Sequence, residues 1–161
     1  MGPPGSGKSF IGNCLALRGI AHYVELEPVL VARFGQRRDF LLRKDAALQF
    51  IRDSYITQLK DAARPVAFES TGVSDRSLLE DLMRQHTLIL AKIQTPRHIC
   101  VERVTRRPNH LNLGNDPSAT AKFYDFWYKA VEPTYSFAAT IDGVDIDRAL
   151  REIAQLLDAA A

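Results

Sequence analysis

An α/β fold with a parallel sheet between helices is predicted by two observations. Short apolar, strand-like segments alternate with helix-period segments along the whole chain. The first helix is entered directly from Gly2-Pro3-Pro4-Gly5-Ser6-Gly7-Lys8-Ser9, and the spacing G-x-x-x-x-G-K-S is that of a loop that wraps phosphate. A length of 161 residues, 46% hydrophobic and 25% charged, suits a single domain over 1–161 with an ordinary core. Neither repeats nor low-complexity tracts interrupt it.

The elements follow in order. The loop runs into a helix over 8–18, with Ile11, Leu15 and Ala16 inward and Gly19 ending it. An extended segment at 21–26 precedes Glu27-Pro28, where a helix begins, because proline is tolerated in a first turn; it closes near Gly35. Over 41–63, Leu48, Ile51, Tyr55 and Leu59 recur at steps of three and four residues, one face of a long helix. The run 65–68 reads as a buried strand, ended by Glu69-Ser70-Thr71-Gly72 and followed by a helix over 75–86. A strand at 88–94, a helix at 97–107, a polar lid segment at 107–117 and an aromatic-rich helical pattern at 118–136 come next. A strand at 138–141 and an amphipathic helix at 145–157 close the chain. In this architecture the phosphate loop is fed by a central strand, yet only Met1 precedes Gly2. The sequence therefore leads us to expect about 5–10 further residues upstream, a typical strand length.

Charge and composition exclude several function classes. The 21 basic and 19 acidic residues are dispersed and leave a net charge of +2, so no general nucleic-acid or membrane surface is expected. No apolar run approaches the roughly 18 residues of a membrane span, and the start has no secretory pattern. Cys14 and Cys100 sit among apolar neighbours in helical segments, which fits reduced thiols and a cytoplasmic setting rather than disulfides or a metal centre. The opening residues also match a myristoylation pattern, but the phosphate loop already accounts for them.

Each fixed place in the loop has a mechanical reason. Across Gly2, Pro3, Pro4, Gly5, Ser6 and Gly7 the glycines let backbone N–H groups curl around phosphate, Lys8 reaches the β- and γ-phosphates, and Ser9 ligates Mg²⁺. A helix N-terminus adds partial positive charge. The expected ligands are therefore ATP and Mg²⁺. On the acceptor side, Glu69 ends a strand where a carboxylate faces the crevice beyond the strand ends, able to hold Mg²⁺ through water or to orient a nucleophile. Glu25 and Glu27 flank Leu26 and would share a face if both were extended, although Glu27 equally suits a helix N-terminus. Arg103 and Arg107 lie four residues apart and point the same way on a helix, whereas Arg106 is displaced around it. This spacing selects the first two for the nucleotide and for charge developing in phosphoryl transfer. Arg33, Arg37, Arg38, Arg43 and Lys44 surround a break between helices where an acceptor could enter; a run of charge is otherwise a solvated face. His110 reads as surface, and Phe123, Tyr124, Phe126, Trp127 and Tyr128 as core packing.

With the loop at Gly2 to Ser9, the strand end at Glu69 to Gly72, the Cys100-Val-Glu-Arg103-Val-Thr-Arg106-Arg107-Pro108 segment and the tail from 138 to 157, the chain resembles the small P-loop kinases. Within them it is similar to the shikimate and gluconate kinase branch and to zeta-toxin-like ATPases. The resemblance implies a three-layer P-loop NTPase fold, Mg-ATP as phosphoryl donor at Lys8 and Ser9, and a lid opened by Arg107-Pro108. It also implies an acidic acceptor position at Glu25; Arg37, Thr71 and Gly72 are further candidates for contact with the acceptor. The chain departs from shikimate kinases in lacking their aspartate pair and in carrying Glu69 to Gly72 where they are glycine-rich. The expected activity is phosphoryl transfer to a small hydroxylated metabolite. A nucleoside or nucleotide kinase, a kinase of sugar nucleotides, and a nucleotide-dependent switch acting through a protein partner stand beside it.

Overall fold

The computed structural model describes residues 1–35, 43–60, 62–107 and 116–160. The chain divides into two units, Gly12–Glu69 on one side and Met1–Ile11 with Ser70–Ala161 on the other. Both are pairs of parallel strands with helices, the α/β class that the alternating pattern predicts.

In the Gly12–Glu69 unit, β1 (His22–Val24) and β2 (Val66–Phe68) pair in parallel, with His22 opposite Val66 and Val24 opposite Phe68. Two helices accompany them, α2 (Leu26–Phe34) and α3 (Lys44–Lys60), and pack on one another. The three- and four-residue apolar steps in α3 bury Ala47, Ile51 and Tyr55. The Tyr55 ring lies 4.3 Å from that of Phe68, and Phe34 meets Phe50 edge-on at 5.7 Å. Because α2 starts at Leu26, Glu25 is its N-cap residue and Glu27 is already helical. The extended Glu25/Glu27 pair considered from sequence is therefore not formed, and Glu27 takes the helix N-terminal place instead.

The other unit holds the start of α1 (Lys8–Leu17), then α4 (Arg76–Gln85), β3 (Ala91–Gln94), α5 (Arg97–Thr105), α6 (Pro117–Phe126), β4 (Ala139–Asp142) and α7 (Ile146–Asp158). β3 and β4 are parallel, Ala91 opposite Ala139 and Gln94 opposite Asp142. On the other side of β3, Met1 makes both bonds of a parallel rung: its N-terminal nitrogen donates to the Ala91 carbonyl at 2.6 Å, and Ile93 N–H donates to the Met1 carbonyl at 2.8 Å. The glycine loop thus departs from the sheet itself. Beneath it lies a core of Leu78, Leu79 and Leu82 from α4, Ile93, Ile141, Cys100, Val104, Trp127, and Ala149 and Leu150 from α7. Two helix starts are capped by aspartates: Asp116 accepts from Ser118 N–H at 2.8 Å with Pro117 at the first position, and Asp145 accepts from Arg148 N–H at 3.0 Å.

The helical pattern over 118–136 is not one helix. After Phe126 the backbone widens into a π turn at Trp127–Val131 and tightens to a 3-10 turn at Glu132–Thr134, where Pro133 cannot continue an α ladder. The widened turn carries Trp127, which is completely buried, with its indole N–H donating to the Thr71 carbonyl at 2.7 Å. Trp127→Phe removes that donor and leaves a carbonyl without it. We expect a loss of about 1–3 kcal/mol of stability, read from urea denaturation midpoints at unchanged slope. Among the described residues no helix is long and apolar enough to cross a membrane.

Candidate functional site

The glycine loop is held in shape through its carbonyls. Lys8 Nζ donates to the Pro3 carbonyl at 2.9 Å, Arg103 Nη1 to the Gly5 carbonyl at 3.4 Å, and Thr95 Oγ1 to the Ser6 carbonyl at 2.8 Å. Ile11 N–H then donates to the Gly7 carbonyl at 2.9 Å, which starts the helical ladder of α1. Amides in the first turn ahead of that bond have no acceptor within the helix.

Two glycines are required by close approach. Gly5 has φ 81°, and a Cβ there would run into the carbonyl oxygen of buried Cys100 and stand 2.8 Å from its Cα. At Gly143, directly after β4, a Cβ would collide with Thr95 Oγ1 and stand 2.5 Å from the Ser6 carbonyl oxygen. Ser6 is itself fully buried, and its hydroxyl finds no hydrogen-bond partner among the described residues.

In front of the loop is a cavity of about 360 Å³, lined by Gly5, Gly7, Ser9, Phe10, Arg103, Arg107, Gly143 and Ile146. That volume is within the range of small-molecule sites. Arg103 and Arg107 both line it, as their four-residue spacing on α5 and its end anticipates, while Arg106 turns outward into a 2.7 Å ion pair with Glu102. Arg103 also donates to the Gly143 carbonyl at 3.0 Å, so its guanidinium spans from the loop to the end of β4. Phe10 is 59% exposed and, with Ile146, supplies an apolar wall. Burial pushes the Cys100 thiol up from its ordinary range, against an opposing pull from the Arg103 and Lys8 charges. With zero exposure it should react far more slowly than half-buried Cys14; we expect iodoacetamide followed by peptide mapping of native protein to show label at Cys14 first.

The remaining sequence candidates fall elsewhere. Glu25 and Glu69 each follow, by one residue, the paired residues Val24 and Phe68, so the parallel register of β1 and β2 brings these two half-buried carboxylates to the same end of one strand pair. Thr71 and Gly72 are not cavity-lining. Their carbonyls accept from Trp127 Nε1 at 2.7 Å and from the Tyr135 hydroxyl at 2.8 Å, and Gly72 N–H donates to Ser70 Oγ at 2.7 Å. Arg37, His110 and the lid residues 108–115 lie outside the described residues. Thr95, Gly143, Phe10 and Ile146 were missed from sequence. Their one signal was position: Thr95 and Gly143 are the residues just past parallel strands β3 and β4, the edge at which open α/β sheets place ligands.

Comparison with known proteins gives a fold relationship. No family model matches the chain, and no curated protein matches it. Among solved structures 27 chains do. One of them is the deoxyadenosine kinase from M. mycoides, solved with products dCMP and a flexible dCDP bound; it is 16% identical, with a TM-score of 0.57, over 99% of this chain and 97% of that one. The chain therefore shares the α/β fold of that structure, with parallel strands flanked by helices.

Proposed function

We propose that the chain is an ATP-dependent phosphotransferase that moves the γ-phosphoryl group of Mg-ATP to a hydroxyl of a small metabolite. The observation that carries this reading is the cavity in which glycine-loop backbone, Ser9, Arg103 and Arg107 converge at the N-terminus of α1. Lys8, Ser9 and the amides of Gly5 and Gly7 would hold the phosphates, and Phe10 and Ile146 would face the base. Among the described residues no three His, Cys, Asp or Glu side chains cluster as a metal site. Mg²⁺ fits this donor set as an ion that enters with the nucleotide, held by phosphate oxygens, water and Ser9. When bound, it would neutralise charge on the β- and γ-phosphates.

On this reading the acceptor hydroxyl gives up its proton to a general base as its oxygen bonds to the γ-phosphorus, and the bond to the β,γ-bridging oxygen breaks to release ADP; Glu69 and Glu25 are the carboxylates that the sequence offers for that base. Arg107 and Lys8 stabilise the charge spread over the transferring group, which is most of what a protein contributes to such a reaction. Likeness to a deoxyadenosine kinase makes nucleosides the first acceptors to test, ahead of shikimate and gluconate. The decisive assay is Mg-ATP-dependent ADP release against deoxyadenosine, deoxycytidine, shikimate, gluconate and other hydroxylated metabolites. Release that depends on one acceptor class is the expected result. Turnover indifferent to all of them but raised by a protein partner would replace the kinase with a nucleotide switch, and failure to bind a fluorescent ATP analogue would overturn both.

A further inference from the structure

We infer that Thr95 is a positioning residue for the phosphate loop, acting with the gap left by Gly143; the functional part of this inference rests on the nucleotide site proposed above. Thr95 is completely buried, and its Oγ1 donates at 2.8 Å to the Ser6 carbonyl, across 89 residues of sequence. Ser6 lies between Gly5 and Gly7, so turning its carbonyl toward Thr95 fixes the peptide plane whose nitrogen belongs to Gly7. That plane decides whether the Gly7 N–H meets the cavity or the core.

Thr95 is itself held in place. Its own carbonyl accepts from the Tyr124 hydroxyl at 3.1 Å and from Cys100 Sγ at 3.7 Å, which locks its peptide, and its branched Cβ restricts χ1. Gly143 N–H donates to the Gln94 carbonyl at 2.8 Å, holding the end of β4 against the residue before Thr95. The hydroxyl then passes through the space where any side chain at Gly143 would begin. The same short segment continues into α5, which supplies Arg103 to the neighbouring Gly5 carbonyl. Two successive loop carbonyls thus accept from donors on one stretch of chain, 95 to 103. Thr95 is not itself among the residues that line the cavity; it acts through Ser6.

The geometry gives two independent ways to break the contact. Thr95→Val removes the hydroxyl at nearly constant shape, and Gly143→Ala leaves the hydroxyl but displaces it. Thr95→Ser retains the donor and should rescue. In hydrogen exchange of the unliganded proteins, T95V and G143A are expected to speed exchange at the amides of Gly5 to Ser9 by about tenfold over wild type, while T95S stays close to it. In titrations with the fluorescent analogue mant-ATP and Mg²⁺, the first two should bind about tenfold more weakly and T95S within a few-fold of wild type. Circular dichroism and thermal melting confirm that each variant folds; should T95V not fold, T95S against G143A decides the question.

Unchanged loop exchange in T95V or G143A would overturn the positioning role, as would T95S behaving like T95V. Wild-type protein that does not bind mant-ATP would overturn the nucleotide site instead, while the exchange measurement still decides whether Thr95 holds the loop.

Discussion

Gly5→Ala is expected to lose nucleotide binding by about 100-fold or more and to lower folding stability by about 2–5 kcal/mol. Two terms add. Gly5 sits at φ 81°, a left-handed conformation that costs an L-residue about 1–2 kcal/mol. Its new methyl group would also meet the Cys100 carbonyl oxygen, carbonyl carbon and Cα, all backbone atoms of a helix whose Cys100 is fully buried. Backbone in the middle of α5 cannot move aside as a side chain can, so the loop must shift, and with it the Gly5 carbonyl that Arg103 holds. Gly7→Ala is the informative control. Gly7 is also left-handed, at φ 99°, but the nearest atom to its added carbon is Arg103 Nη1 at 3.3 Å, the far end of a flexible side chain. G7A should therefore keep most of its stability while weakening binding, because the methyl group enters the cavity. Urea denaturation and mant-ATP titration of both variants separate the effects, and G5A binding like wild type would mean that the loop is not the phosphate site.

What was legible beforehand, and what was not, follows the range of the interactions concerned. The loop and the pairing of Arg103 with Arg107 are local patterns: glycines at fixed steps, and two residues one helical turn apart. They read directly from sequence, and the fold places both on one cavity. Thr95 and Gly143 were invisible because their meaning depends on parallel pairing of β3 with β4 and on the return of the loop above them. Glu25 and Glu69 were each singled out, but not as a pair, since periodicity identifies strands without fixing which strand neighbours which or in what register. The aromatic run at 123–128 was read as core, and for Trp127 it is; its hydrogen bond to Thr71 depends on a π turn, which adds a residue to the helical turn and so breaks the 3.6-residue period from which facing positions are inferred. Chain-wide similarity to a kinase structure at 16% identity shows how little of the fold's sequence is prescribed outside such local motifs.

Lys8→Met should slow phosphoryl transfer by about 10²–10³ in kcat with a much smaller change in stability. Lys8 has a measurable structural partner, the Pro3 carbonyl at 2.9 Å, and methionine removes that bond as well as the charge. The structural share is bounded, because Ser6 N–H also reaches the Pro3 carbonyl, at 3.3 Å, so this acceptor is not orphaned by the substitution. The electrostatic share is larger: a cation at the end of the glycine loop stabilises charge on the β- and γ-phosphates as the bond between them breaks, and a thioether supplies none of this. Lys8→Arg keeps the charge and separates the two contributions. A planar guanidinium is longer and fixed in its fork, and it does not reproduce a compact ammonium donor beside Pro3. K8R should therefore recover part of the binding of mant-ATP but little of the turnover. Initial rates of ADP release at saturating Mg-ATP, with the acceptor identified in the panel assay, provide the measurement. If K8M turned over at the wild-type rate, the transferring group would lie away from the loop, and the kinase reading would fall with it.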